Sequence, residues 1–171
     1  AKAFPFDDEH SVQLRVVGLF MPDRVEDFRE QMKQFPETSL LAIDFDTATA
    51  TFQYAADSDL FRNAKPEQIV ERIDNRIRQL STGLFSVKPL GSIPREKLKH
   101  ITIPIKGLDC KACSLAVHDI LARVEGVEHA TASFRDSLAT AWVDPARTDR
   151  AKLEAALKER GVTVIEEAPG Q

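Results

Sequence analysis

The chain repeats itself. Gly18-Leu19 falls on Gly107-Leu108, Phe45 on Phe134, and the alternating Ala50, Phe52, Tyr54 on Ala139, Ala141, Val143, all 89 residues apart. One offset shared across so long a stretch marks an internal duplication, so a single fold has to satisfy both sequences.

The second copy is the easier to read. "HITIPIKG" (100–107) alternates as a strand, and Cys113, Val117, Ile120, Leu121 and Val124 mark one face of a helix that "EGV" ends. "HATASF" (129–134) and "LATAWV" (138–143) flank the turn Arg135, Asp136, Ser137 as a hairpin. After "DPARTD" a helix carries Leu153, Ala156 and Leu157, stops at Gly161 and leads into the strand "VTVIE" (162–166).

The first copy gives the same order. "SVQLRVVG" (11–18) is a strand; Asp23 with Glu26 three residues on predicts a capping box for a helix whose apolar face is Val25, Phe28, Met32 and Phe35. "LLAIDF" (40–45) and "ATFQY" (50–54) form the hairpin, Pro66 opens a helix with Ile69, Ile73, Ile77 and Leu80, and "LFSVKP" (84–89) is the last strand. The expected fold is α+β: tandem ferredoxin-like βαββαβ domains, each a four-stranded antiparallel sheet with two helices on one face. The boundaries read as a first domain at 1–91, a linker at 92–99 containing Pro94, and a second domain at 100–171.

Composition narrows the partners. A formal charge of -4 and a pI near 5.6 provide no basic field for nucleic acid or an anionic membrane. No run approaches the roughly 18 to 20 apolar residues of a membrane span, so no membrane contact is expected within this chain. The start at Ala1 reads as a trimmed end, and the tail "EEAPGQ" as a linker leaving a domain, which makes a fragment of a larger metal transporter one reading.

The only two cysteines, Cys110 and Cys113, lie three positions apart where a strand ends and a helix begins. Free N–H groups and the positive end of a helix dipole favour a thiolate there, and Lys111 adds a positive charge. Two such thiolates serve as a clamp for a soft ion or as a dithiol redox pair, and spacing alone leaves both open. Asp109 adds a carboxylate just before the first sulfur; it is a third donor for Zn(II), which wants four ligands, or simply a helix cap facing solvent.

"GLDCKAC", an amphipathic helix, "EGV" and "ATAWVDP" together resemble the heavy-metal-associated (HMA) domain of soft-metal chaperones, mercury-binding proteins and the cytosolic modules of metal-exporting P-type ATPases. The landmarks are Gly107, Cys110, Cys113, Gly126-Val127, Asp144-Pro145 and Gly161, and the resemblance covers about 100–168. It implies a non-enzymatic module that binds a soft ion through Cys110 and Cys113 and passes it to a metal-transport ATPase or another metal-binding domain. It also implies a cytoplasmic setting, with an exported protein as the alternative. Zn(II) and Cu(I) are the expected cargoes, with Cd(II), Pb(II) and Hg(II) also compatible. In that family Asp at position 109 looks like the zinc, cadmium and lead modules, which tilts the reading toward a Zn(II)-type cargo. Leu108 stands where the family has Met and is expected to plug the loop into the core. Val162 stands where an aromatic residue or Lys is common, leaving Lys111 as the nearest charge.

The first copy has lost the ligands: Met21 and Arg24 stand at the positions of Cys110 and Cys113. Arg offers no lone pair, so this half reads as a degenerate copy. His118 is expected on the solvated side of its helix, His100 and His129 at strand ends away from the cysteines, and His10 in a mobile terminal segment. Trp142 alternates onto the open face of its sheet, as an exposed docking anchor or covered. The acidic stretches 43–50 and 56–61 read as turns rather than calcium loops. An enzyme reading survives only as a thiol-disulfide oxidoreductase.

Overall fold

Alternation with period two lets each strand bury one face, and the helices supply the apolar stripe that covers it. The computed structural model describes residues 6–166 and divides the chain into two compact units, Ala1–Leu90 and Gly91–Gln171. The tail beyond residue 166 that reads as a linker lies outside the described residues. Unit 1 runs β1 (Ser11–Val17), α1 (Arg24–Met32), β2 (Thr38–Asp44), β3 (Thr49–Tyr54), α2 (Pro66–Leu80), β4 (Ser86–Pro89). Unit 2 opens with a single 3-10 turn at Arg95–Lys97. It then runs β5 (Lys99–Lys106), α3 (Lys111–Ala122), β6 (Val127–Ser133), β7 (Leu138–Val143), α4 (Arg150–Glu159), β8 (Thr163–Val164). The sheet orders are β2-β3-β1-β4 and β6-β7-β5-β8, with every neighbouring pair antiparallel. Two ferredoxin-like βαββαβ units in tandem are therefore present.

The sequence offset survives in space. Both strands of the first hairpin map onto those of the second at 89 residues, and Ala48 and Ser137, one offset apart in the two turns, share a left-handed φ of 52° and 54°. The cores are filled differently. In unit 1 Phe28 meets Phe52 and Phe85 edge to face at 6.2 and 5.2 Å, whereas the equivalents of Phe28 and Phe52 in unit 2 are Val117 and Ala141, both buried. The segment that enlarges the first copy also reaches the core: Phe61, 2% exposed, stacks on Phe35 at 6.4 Å.

Several expectations change. Asp23 makes no capping bond, because its backbone is already helical (φ -66°, ψ -18°) and the N–H groups of Arg24 and Val25 turn back to Met21 and Pro22. A capping box needs an extended N-cap residue. Phe35 and Val124 lie past the ends of α1 and α3, held instead by turns whose N–H groups donate to the carbonyls of Met32 and Leu121. The last strand keeps only Thr163 and Val164 in its ladder. The segments 43–50 and 56–61 contain turns, as the reading required.

Two equivalent glycines should respond differently to substitution. Gly18 sits at φ +114°, and an added Cβ would come to 2.4 Å from the carbonyl oxygen of Leu84; Gly107 sits at φ +74° with nothing within 4 Å. Urea denaturation of the full chain should show Gly107→Ala costing about 1 kcal/mol, from backbone strain alone. Gly18→Ala should cost about 3 kcal/mol or more, because overlap adds to strain.

Candidate metal centre

Four residues join β5 to α3, and each has a distinct environment. Gly107 turns the chain in the left-handed region, Leu108 (3% exposed) enters the second core, Asp109 faces solvent, and Cys110 is the extended N-cap of α3. The Cys110 sulfur does what a serine oxygen does at other helix starts: it accepts the Cys113 N–H, at 3.1 Å, while the Cys110 carbonyl accepts Ser114 N–H at 3.0 Å. Negative charge on this sulfur is thus favoured by a donated N–H and by the helix dipole.

The two sulfurs are joined as a disulfide, with Cα atoms 5.1 Å apart. Cys113 Sγ lies 3.6 Å from Asp109 Oδ1, a contact rather than a hydrogen bond while the sulfur carries no proton. The ligating atoms of Asp109, Cys110 and Cys113 fall within 4.8 Å of one another, and among the described residues no other set of three or more His, Cys, Asp and Glu does so. Two-electron reduction would turn this cluster into two thiolates and a carboxylate, a donor set that suits soft and borderline ions. Lys111 is exposed at the first helical position, and Val162 is half-buried against the second core.

The histidines stay apart from this cluster. His118 is 2% exposed, not solvated: Ser114, Val117, His118 and Leu121 form the buried i, i+3, i+4, i+7 stripe of α3, and His118 Nδ1 donates to the Ala130 carbonyl at 3.0 Å. His129 is also buried, inside β6 rather than at its start. His100 stacks on Trp142 at 4.4 Å and the Arg95 guanidinium lies 4.6 Å from the same indole, so residues of the same unit pack against the ring. His10 is tied to Asp7, whose carboxyl the bond to His10 holds below its ordinary range. Far from the cysteines, the Arg147 guanidinium likewise lowers Glu125. Lys106 and Ala116, which line a recess beside Cys113, carried little sequence signal beyond Ala116 lying three residues after Cys113 on one helix.

In unit 1 the equivalent place is filled. Arg24 is 9% exposed, its guanidinium lies 5.3 Å from the Phe20 ring centre and 4.8 Å from that of Phe85, and it pairs with Asp27 at 2.7 Å. A bound cation of the protein's own occupies the end of this unit, and Met21 is 5% exposed beside it in sequence.

A mercuric transport protein periplasmic component from Serratia marcescens is 31% identical over 61 residues, 36% of this chain and 67% of that protein. The chain belongs to the heavy-metal-associated domain family. No family model matches it. Among solved structures, oxidized MerP from Ralstonia metallidurans CH34 is 28% identical, covering 40% of this chain and 94% of that one at a TM-score of 0.38. The N-terminal soluble domains of Bacillus subtilis CopA are 17% identical, covering 90% of each chain at a TM-score of 0.37. Unit 2 carries the metal-coordinating set Asp109, Cys110 and Cys113, and unit 1 repeats the same fold without cysteines. No helix among the described residues is long and apolar enough to cross a membrane.

Because a disulfide sulfur has no charge to donate, uptake should depend on reduction. Without reductant the chain should take up no Cd(II) and show no thiol alkylation; after phosphine treatment both cysteines should alkylate, and added Cd(II) should protect them. Equal uptake before and after reduction would place the ion elsewhere.

Proposed function

We propose that the chain is a non-catalytic carrier module that binds one soft ion at Cys110 and Cys113, with Asp109 as third donor, and releases it by ligand exchange. The observation that carries this is the convergence of two half-buried sulfurs and one exposed carboxylate where the β5–α3 loop meets the first turn of α3. On such a loop an incoming thiolate takes a coordination position before an outgoing one leaves, so the ion need never be free. Binding and hand-over make and break only metal–ligand bonds, so no catalytic residue is required.

The partner this chemistry fits is a second thiolate-bearing metal domain or a metal-transport ATPase. Leu108 anchors the loop to the core, Gly107 lets it turn, and Lys111 offsets part of the negative charge of two thiolates and a carboxylate. A reducing, cytoplasmic setting suits a site that works only as a dithiol. The domain limits are taken as 1–91 and 100–171 around a short connector, with unit 1 as a partner domain that carries no ion.

Among cargoes, Asp109 favours a Zn(II)-type ion. Zn(II) gains a third anionic donor, whereas Cu(I) is satisfied by two sulfurs and leaves the carboxylate idle. The disulfide supports a second reading, a thiol-disulfide oxidoreductase; insulin reduction with turnover would favour it over the carrier.

Native mass spectrometry of the reduced chain should show one ion per chain, lost in Cys110→Ser with Cys113→Ser. Competition titration at fixed pH should show Asp109→Ala weakening Zn(II) by roughly tenfold or more and Cu(I) by less than about threefold. Equal losses for both ions would leave Asp109 a role in loop structure only.

A further inference from the structure

Residues 91–98 have the composition of a free connector, yet they lie against unit 2, which begins at Gly91. A Cβ on Gly91 would overlap the Glu128 carboxylate of β6, so the chain passes close over that side chain. Arg95 reaches the Trp142 indole of β7 at 4.6 Å. Leu98, 9% exposed, closes the 3-10 turn by donating its N–H to the Arg95 carbonyl at 3.1 Å and leads into β5. The successive attachments thus fall on β6, β7 and β5, which are neighbours in that order in the sheet. Trp142 alternates with buried Ala141 and Val143, so the Arg95 contact lies on the face opposite the core.

We propose that residues 91–98 form a releasable strap that sets the length of free chain between the two units. With the strap down, β4 ends at Pro89 and unit 2 begins at Gly91, so only Leu90 lies between them. With it lifted and Leu98 as the hinge, residues 90–97 are free, a stretch that spans about 27 Å when extended. The segment is built to lift. Ser92, Pro94, Arg95, Glu96 and Lys97 are exposed, Ile93 is half-buried, and Leu98 is its one buried side chain. So few buried contacts place a segment at the low end of local stability. A cation–π contact at an exposed site shifts such an equilibrium by about two- to fivefold, so Arg95 biases the strap without locking it.

The strap and the cysteines lie at opposite ends of β5. Lys99, next to Leu98, starts the strand, and Lys106 ends it just before Gly107. Lifting the strap therefore lengthens the tether and leaves the Asp109, Cys110 and Cys113 cluster as it is. A longer tether dilutes each unit in the neighbourhood of the other, which gives an approaching partner room at the cysteines. The inference does not depend on the metal reading.

The test uses the full chain without reductant, so that the cysteines stay joined in every variant. A lysine-specific protease reads opening at Lys97, and acrylamide quenching reads Trp142, the only tryptophan of the sequence. Arg95→Ala should be cut after Lys97 about two- to fivefold faster than wild type, because cleavage follows the open population, and its Trp142 should quench more readily. Arg95→Lys, which keeps a cation, should fall between the two. Trp142→Leu should speed the same cut, and adding Arg95→Ala to it should bring no further increase. Ile93→Ser with Arg95→Ala, which removes the half-buried anchor as well, should enlarge the radius of gyration in small-angle scattering. If Arg95→Ala exposes Trp142 but leaves the cut after Lys97 at the wild-type rate, Arg95 only covers an indole and the proposal is overturned. Independent effects of Arg95→Ala and Trp142→Leu, or an unchanged radius of gyration in the Ile93 and Arg95 double variant, would overturn it equally.

Discussion

The position of both sulfurs depends on the burial of one side chain, Leu108. With Leu108 fixed in the second core, β5 must end at Lys106 and α3 must begin at Lys111, and Cys110 is left as the N-cap with its sulfur on a backbone N–H. Burying a leucine stabilises by about 1.5 to 3 kcal/mol. That is enough to hold a four-residue loop whose other members are exposed or half-buried, and it fixes where the Asp109, Cys110 and Cys113 donor atoms gather.

The two units show what that frame does when its donors are replaced. Unit 1 keeps the glycine and the buried leucine, as Gly18 and Leu19, but its helix starts later and an arginine lies across the end between two phenylalanines. A cation–π contact in a desolvated place contributes about 2 kcal/mol, and the pair with Asp27 adds to it. Where unit 2 places the Cys113 sulfur, unit 1 places a covalently attached cation, the Arg24 guanidinium. In unit 2 the equivalent place holds the disulfide between Cys110 and Cys113.

The duplication and the strand order were legible because period-two alternation and a fixed offset are properties of the sequence itself. The candidate site was legible because Cys110 and Cys113 are the two cysteines of the whole sequence and lie three positions apart. What was not legible has particular causes. His118 reads as polar, yet its ring completes a helix stripe and finds a carbonyl across the core; only the partner strand reveals that. The Asp23–Glu26 spacing matches a capping box, but the chain is already helical at Asp23, so local pattern lost to the geometry of the preceding turn. Trp142 needed Arg95 and His100, one from a connector and one from a neighbouring strand, before its surroundings made sense. The recess beside Cys113 depends on what three separated segments leave unfilled, which no linear pattern records.

The central claim, that an ion sits on Cys110, Cys113 and Asp109, is tested most directly by X-ray absorption at the zinc edge of the reduced chain loaded with one Zn(II). The account predicts two sulfur neighbours at about 2.3 Å and at least one oxygen neighbour at about 2.0 to 2.2 Å. A shell of nitrogen and oxygen alone, with no sulfur, would contradict it.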